Sequence, residues 1–313
     1  MLNGSHIRSS FGTHEGESRQ IFAITGITGN LGGEVARNLL AAGRPVRAVM
    51  RDLRKGEAWA KRGCDLAGAD INDAAALTAA FEGSEGVFLM VPPNFDPSPD
   101  FCEARTIAAT LSSTLDAARP GRVVYLSTIG AQATHSNLLS QHTVIERALQ
   151  KLLLPITFLR PGWFMENSAW DVAPAKNGVI SSFLQPLDKP VPMVATADIG
   201  RSAAELLQET SQEKRSGHRV VELEGPQRVT PNKIASTFAH LLGRPVTVEA
   251  VPRETWESMF KSQGMRNPTP RIQMLDGFNE GWIEFEGGES GSRKRNTSLQ
   301  TVLRTLIDGE GKS

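Results

Sequence analysis

From residue 21 onward, short apolar runs alternate with stretches whose apolar residues recur every three or four positions. The runs are IFAIT (21–25), PVRAVM (45–50), a brief one around Asp65 to Ala67, GVFLMV (86–91), RVVYLST (122–128) and PITFLR (155–160). Continuous short runs of this kind read as strands buried on both faces. Between them, LGGEVARNLLAAG has helical spacing and ends at Gly43, a glycine placed to close a helix. DLRKGEAWAKRG, AAALTAAF after Asp73, Asp100 to Ala118 and Asn137 to Lys151 carry the remaining helical patterns. Pro92-Pro93 and Pro161-Gly162 stop the fourth and sixth strands. Strand and helix in strict alternation predict an α/β fold, a Rossmann-type doubly wound parallel sheet with right-handed crossovers.

After Pro161 the rhythm breaks. Residues Trp163 to Pro192 scatter aromatics, prolines and glycines. ADIGRSAAELLQE (197–209) reads as a helix with Asp198 at its N-cap, and HRVVELEG (218–225) as a strand. TPNKIASTFAHLLG is a helix with proline at an early position, RPVTVEAVP a further strand, and the tail from Pro252 helical. These features divide the chain into a main domain over 21–160, with 195–224 returning to it, and a smaller C-terminal substrate lobe over 161–194 and 225–313. Residues 1–20 are polar, lack the apolar core of a signal peptide, and read as a disordered extension or a cloning remnant.

Charge and composition narrow the function. Lys+Arg and Asp+Glu stand at 34 each, so no basic footprint for nucleic acid or a membrane surface is present. Cys64 and Cys102, far apart, fit neither a disulfide framework nor a metal site. No run reaches the length of a transmembrane span. The chain reads as cytoplasmic, metal-free and without membrane or direct nucleic-acid partners.

The chemistry begins directly after the first strand, at TGITGNLGG. Gly26, Gly29 and Gly32 form a G-x-x-G-x-x-G between a strand and a helix. The first allows the tight turn, the second lets backbone approach a pyrophosphate, and the third lets helix pack on sheet. The helix N-terminus adds free N–H groups and a positive dipole end. With Thr28, Asn30 and Leu31, these glycines are the turn's candidate cofactor-binding residues. The second strand ends in VRAVMRD. An acid there suits the ribose hydroxyls of NAD, and an arginine the 2′-phosphate of NADP. Arg51 comes first, with Arg54 and Lys55 nearby, which favours NADP(H) over NAD(H); Asp52 keeps NAD open.

ITGITGNLGGEVARNLLAAGRPVRAVMR, GADINDAAAL, GVFLMVPP and LPITFLRPGWFMEN together resemble the atypical short-chain dehydrogenases/reductases, in particular the NmrA-like group, over about residues 21 to 250. The resemblance implies that Asp70 and Ile71 sit near the adenine and that Val91 and Pro92 border the adenosine ribose. It implies that Ser127, Thr128, Pro161 and Trp163 approach the nicotinamide end. In the wider superfamily a Tyr-x-x-x-Lys pair on the helix after the fifth strand moves the proton. Here the one tyrosine, Tyr125, lies in the preceding strand, and no lysine occurs between Lys61 and Lys151. Aligned on LPITFLRPGWF, the lysine slot falls on His142 and the tyrosine slot on Leu138.

His142 and Glu146 give H-x-x-x-E on that helix, which resembles the type-2 NAD(P)H:quinone oxidoreductases and the triphenylmethane dye reductases of the group. That implies direct hydride transfer to a quinone-, azo- or dye-like acceptor, a reaction needing less proton help than ketone reduction. His142, the catalytic candidate and a further cofactor contact, would bond the ribose or the acceptor oxygen and donate a proton, with Glu146 orienting its ring. Against this stands a plain core histidine, since Leu138, His142, Ile145, Leu149 and Leu152 share one helical face. Phe95, Trp163, Phe164, Trp170, Met274 and Phe278 are candidates to line a pocket for a small planar apolar substrate. LDGFNEGWIEFEGGE (275–289) reads as a loop near its mouth. The group also contains a non-catalytic redox sensor that binds the oxidised dinucleotide and acts through a regulatory protein partner, so that reading stays open, as does a homodimer.

Overall fold

A computed structural model of the protein describes residues 21–209 and 217–310; the extension at 1–20 lies outside the described residues. The six runs form β1 (Ile21–Thr25), β2 (Val46–Met50), β3 (Asp65–Gly68), β4 (Ser84–Leu89), β5 (Val123–Leu126) and β6 (Ile156–Pro161). They stand in the order β3-β2-β1-β4-β5-β6, and His218–Glu224 and then Arg293–Lys294 extend the sheet beyond β6. Every pairing in this sheet is parallel. The chain reverses its direction of travel across the sheet between β1 and β4, the topological switch point where such folds hold ligands.

The helices are α1 (Asn30–Ala41), α2 (Glu57–Ala60), α3 (Ala74–Phe81), α4 (Cys102–Ala118) and α5 (Ser140–Leu149). α1 and the helix Thr196–Gln208 pack together and cover one face of the sheet. Beneath them lie Phe22, Ile24, Val124, Leu126, Leu159 and Val221. α3, α4 and α5 cover the other face, over Ala23, Val87, Val123, Tyr125 and Phe158. Neighbours such as Val123 and Val124 therefore enter opposite cores, because side chains alternate along a strand. That double burial is why these strands read as continuous apolar runs. A fully buried side chain such as Leu39 or Leu111 contributes about 1.5–3 kcal/mol.

Local signals set several boundaries. Gly43 takes φ +71° just past α1, where its N–H and that of Arg44 close onto Leu40 and Leu39 carbonyls. Asp73 caps α3 by accepting from Ala76 N at 3.0 Å. Thr230 caps Pro231–Leu242, which opens on its proline.

Other expectations need correction. Asp198 is not an N-cap: it lies in the first turn, fully buried, and accepts from Thr297 N at 2.9 Å. Glu166 caps that helix from elsewhere in the chain, accepting from Thr196 N at 2.9 and 3.0 Å. The DLRKGEAWAKRG helix is a 3₁₀ turn over Leu53–Gly56 followed by the short α2. Helix α5 begins at Ser140, because Asn137 and Ser140 first exchange turn hydrogen bonds. The segment read as a loop at 275–289 begins inside a helix, Thr269–Glu280. Arg293–Lys294, assigned by pattern to the smaller lobe, joins the main sheet.

A third core gathers the C-terminal aromatics. Phe238, Trp256, Phe260 and Phe278 pack with Met165, Val172 and Ile180. A separate parallel pair, Val179–Ser182 with Thr247–Ala250, lies in the same region. Ile129 and Leu138, just after β5, also belong to this core, so the β5–α5 connection is wedged between sheet and lobe. Among the described residues, no helix is long and apolar enough to cross a membrane.

Candidate functional site

The glycine turn occupies the switch point. Gly26 takes φ +65°, a conformation that costs a side chain strain, and Gly29 N closes onto Gly26 O at 3.0 Å. A Cβ on Gly32 would sit 2.4 Å from Gly26 O, so the helix enters against the turn's own backbone. At Gly29 the situation reverses: an added Cβ would meet only Gly26 O, at 3.4 Å, with open space beyond. No side chain caps α1 and no acid stands in its first turn. Thr28, Gly29 and Asn30 are exposed and Leu31 is buried. An uncapped helix N-terminus with open space at Gly29 fits the pyrophosphate of a dinucleotide.

Thr25 ties this turn to β4: its hydroxyl accepts from Met90 N at 2.7 Å and lies 3.2 Å from the Phe88 and Met90 carbonyls. At the end of β2, Arg51 is exposed. Asp52 is held by Arg54, whose Nε and terminal nitrogen reach its two oxygens at 2.8 and 2.9 Å. The Arg54 hydrogen bonds keep the Asp52 carboxyl below its usual range. Asp70 builds a turn, accepting from Asn72 N at 2.9 Å. Ile71 and Val91 pack half-buried against the α3–α5 core, and Pro92 is exposed.

The ends of β5 and β6 are zipped together: Ser127 N donates to Leu159 O at 2.8 Å and Ile129 N to Pro161 O at 2.9 Å. Ser127, Thr128 and Pro161 are thus brought together beside β4, and Trp163 follows, stacked edge-on to Phe278 at 5.2 Å. Of the other apolar candidates, Met274 and Phe278 lie in the lobe core and Phe164 packs on the α1-side core. Phe95 and Trp170 stand out at 60% and 87% exposure, away from any such cluster.

His142 faces the sheet from α5, and its Nδ1 lies 2.8 Å from the Tyr125 hydroxyl. Desolvation lowers its pKa to about 4, so the ring is neutral near pH 7. Tyr125 is fully buried, and burial together with the nearby Glu146 charge pushes its hydroxyl well above the usual range. Glu146 does not orient the imidazole. Its carboxylate accepts from Ser127 Oγ at 2.5 Å and from Arg160 at 2.5 and 3.0 Å, all three side chains being buried. Residues four apart on a helix point along one face without having to meet, and an ionised guanidinium outcompetes a neutral ring for a carboxylate. Arg160 also reaches Glu286 at 3.1 Å and Gln132 at 3.3 Å.

From sequence, Tyr125 has no role at the site and Arg160 is not singled out. The available signals were a lone phenol inside an aliphatic strand and a charge closing an otherwise apolar one.

Comparisons with known proteins bear on the family and the fold. The NmrA-like family model matches residues 18–281. Quinone oxidoreductase 2 of Escherichia coli (strain K12) is 27% identical over 78% of this chain and 82% of its own. The NAD(P)H azoreductase of Xenophilus azovorans is 26% identical over 77% and 81%. A solved structure of the Citrobacter sp. triphenylmethane reductase, complexed with NADP(H), superposes with a TM-score of 0.75 at 21% identity, covering 91% of this chain and 99% of that one. The doubly wound sheet with its open glycine turn, and a family match spanning most of the chain, lead to one conclusion: the protein belongs to the NmrA-like family.

Proposed function

We propose that the protein is an NAD(P)H-dependent oxidoreductase that passes a hydride to a quinone-, azo- or dye-like acceptor without a Tyr-x-x-x-Lys dyad. The observation that carries this reading is the open, uncapped turn at Gly29, which leaves a helix N-terminus free to take a pyrophosphate. The names of the quinone- and azo-reducing relatives supply the acceptor class. The bound nicotinamide supplies the hydride. The chain's own residues hold and orient: Gly26, Thr28, Gly29, Asn30, Leu31 and Gly32 take the pyrophosphate, and Asp70, Ile71, Val91 and Pro92 border the adenosine. Ser127, Thr128, Pro161 and Trp163 flank the reacting end. Trp163, half-buried and backed edge-on by the buried Phe278, offers an aromatic surface to a planar acceptor. NADP(H) is favoured because Arg51 is exposed and Asp52 is engaged by Arg54, which leaves the acid poorly placed to take a ribose diol. His142, neutral near pH 7, serves as a hydrogen-bond donor rather than as an imidazolium acid.

A non-catalytic, NADP-binding sensor is favoured by one observation: Tyr125 is fully buried and bonded to His142, so it is no proton donor to a ligand. Oxidation of NADPH, with NADH alongside, against a panel of quinones, azo dyes and triphenylmethane dyes separates the two. The reductase reading expects turnover that prefers NADPH and falls in His142→Ala. Tight NADP+ binding with no oxidation by any acceptor would replace it with the sensor.

A further inference from the structure

The Tyr125–His142 contact fixes more than the position of a ring. A neutral imidazole carries one proton, and its partner decides which nitrogen holds it. Tyr125 is fully buried, and its hydroxyl meets Nδ1 at 2.8 Å and no other group among the described residues. If Nδ1 carried the proton and donated to the phenol oxygen, the phenol's own hydrogen would be left buried without an acceptor, an arrangement proteins avoid. The opposite direction satisfies both atoms: the hydroxyl donates, and Nδ1 accepts. Nε2 then carries the hydrogen.

The surroundings show where that second nitrogen is available. Nε2 bonds to no described residue, yet it is not among the polar atoms sealed in the interior without a partner. Its sequence neighbours hold the connections that leave the C-terminal ends of β4 and β5: Gln141 Nε2 donates to Asn94 O at 2.9 Å, and Thr143 Oγ1 to Ala131 O at 2.7 Å. The half-buried ring therefore sits between two loops at the ligand-bearing end of the sheet. The ionic pair one turn along the same helix, Glu146 with Arg160, is engaged by Ser127, Gln132 and Glu286, so it does not compete for the imidazole.

We propose that Tyr125 is a positioning residue whose hydroxyl locks His142 in the Nε2–H form, so that the site presents a donor to a ligand's lone pair. This deepens the oxidoreductase reading and rests on it for its consequence: acceptors bearing a carbonyl oxygen or azo nitrogen at the reducible centre are selected over those with no lone pair there. The lock itself does not depend on turnover.

The test is a long-range ¹H–¹⁵N correlation of histidine-labelled protein, with the His142 signals assigned through His142→Gln, followed by Tyr125→Phe. The expected result is a single Nε2–H tautomer in the wild type and a mixture of both in Tyr125→Phe. A wild-type Nδ1–H form, or a mixture already present there, would overturn the lock. In kinetics, Tyr125→Phe is expected to lower kcat for a quinone about tenfold while leaving the Kd for NADPH unchanged. An unchanged kcat in a variant whose tautomers are mixed would overturn the lock's role in the reaction. A wild type that turns over no acceptor yet shows the Nε2–H form would overturn the oxidoreductase reading and leave the lock standing.

Discussion

His142 enters the folded protein neutral, and that ties stability to pH. Its pKa falls from 6.5 to about 4 on burial, so between these values the unfolded chain binds more protons than the native one. The sign follows: stability contributed by the neutral ring is present above the unfolded value and is lost as pH drops from 6.5 toward 4, by about 3 kcal/mol in all. Burial of Asp171, which raises its pKa to about 6, acts in the opposite sense over an overlapping range. The difference between wild type and His142→Gln isolates the histidine. Urea unfolding at pH 4.5 and 7.5 should show the wild type losing more stability than the variant. Equal losses would mean the ring is protonated in the native state. Glu146 presents a different balance. It is buried with Arg160 and Ser127, and Glu146→Gln leaves a buried guanidinium short of its counter-charge. The expected cost is about 3 kcal/mol, the low end for a broken buried pair, because Glu286 and Gln132 still hold Arg160. A shift in the urea midpoint measures it.

At the scale of the element, the strand–turn–helix unit β1–α1 carries two separable functions in one motif. Gly32 is a packing residue: an added Cβ would sit 2.4 Å from Gly26 O, and backbone cannot rotate away as a side chain would. Gly29 faces open space. Gly32→Ala should therefore lower thermal stability by several degrees along with dinucleotide binding. Gly29→Ala should keep the wild-type Tm within a degree or two and weaken NADPH binding at least tenfold, read by fluorescence titration. Equal loss of stability in both variants would show that Gly29 serves the fold rather than the ligand. The strand–helix alternation that frames this unit was legible because each strand is buried on both faces and each helix on one. The α5 boundary was not, because the turn from Asn137 to Ser140 continues the apolar spacing of the helix without its hydrogen bonds.

At the scale of the whole molecule, the lobe is latched to the sheet at points distant in sequence. Asp96, after β4, accepts from Asn267 N at 2.7 Å and from the Arg266 backbone and side chain at 3.2 and 3.0 Å. Gln132 donates to Glu284 O at 2.7 Å, and Arg228 grips Glu284 at 2.7 and 2.9 Å. The Asp96 latch is partly exposed, so Asp96→Ala should change stability little. Its larger expected effect is a several-fold rise in KM for the acceptor, since the loop after β4 borders the site. A KM unchanged in steady-state kinetics would detach this latch from substrate binding.

What the sequence determined by itself follows from interactions that are local or periodic. The six parallel strands, the glycine turn between β1 and α1, the cap at Asp73 and the closing Gly43 each depend on a few adjacent residues obeying one geometric rule. The cap of the helix Thr196–Gln208 shows the limit: Asp198 has the right residue type but lies inside the first turn, and Glu166 holds the cap from thirty positions away along the chain. The same limit governs the site. That His142 and Glu146 share a helical face could be read from their spacing. Which of them meets Tyr125, and which meets Ser127 and Arg160, could not. Those partners come from β5 and β6, and only the packing of α5 across the sheet brings them within hydrogen-bond distance. A polar side chain's role is set by the group opposite it, and that group is chosen by the tertiary structure.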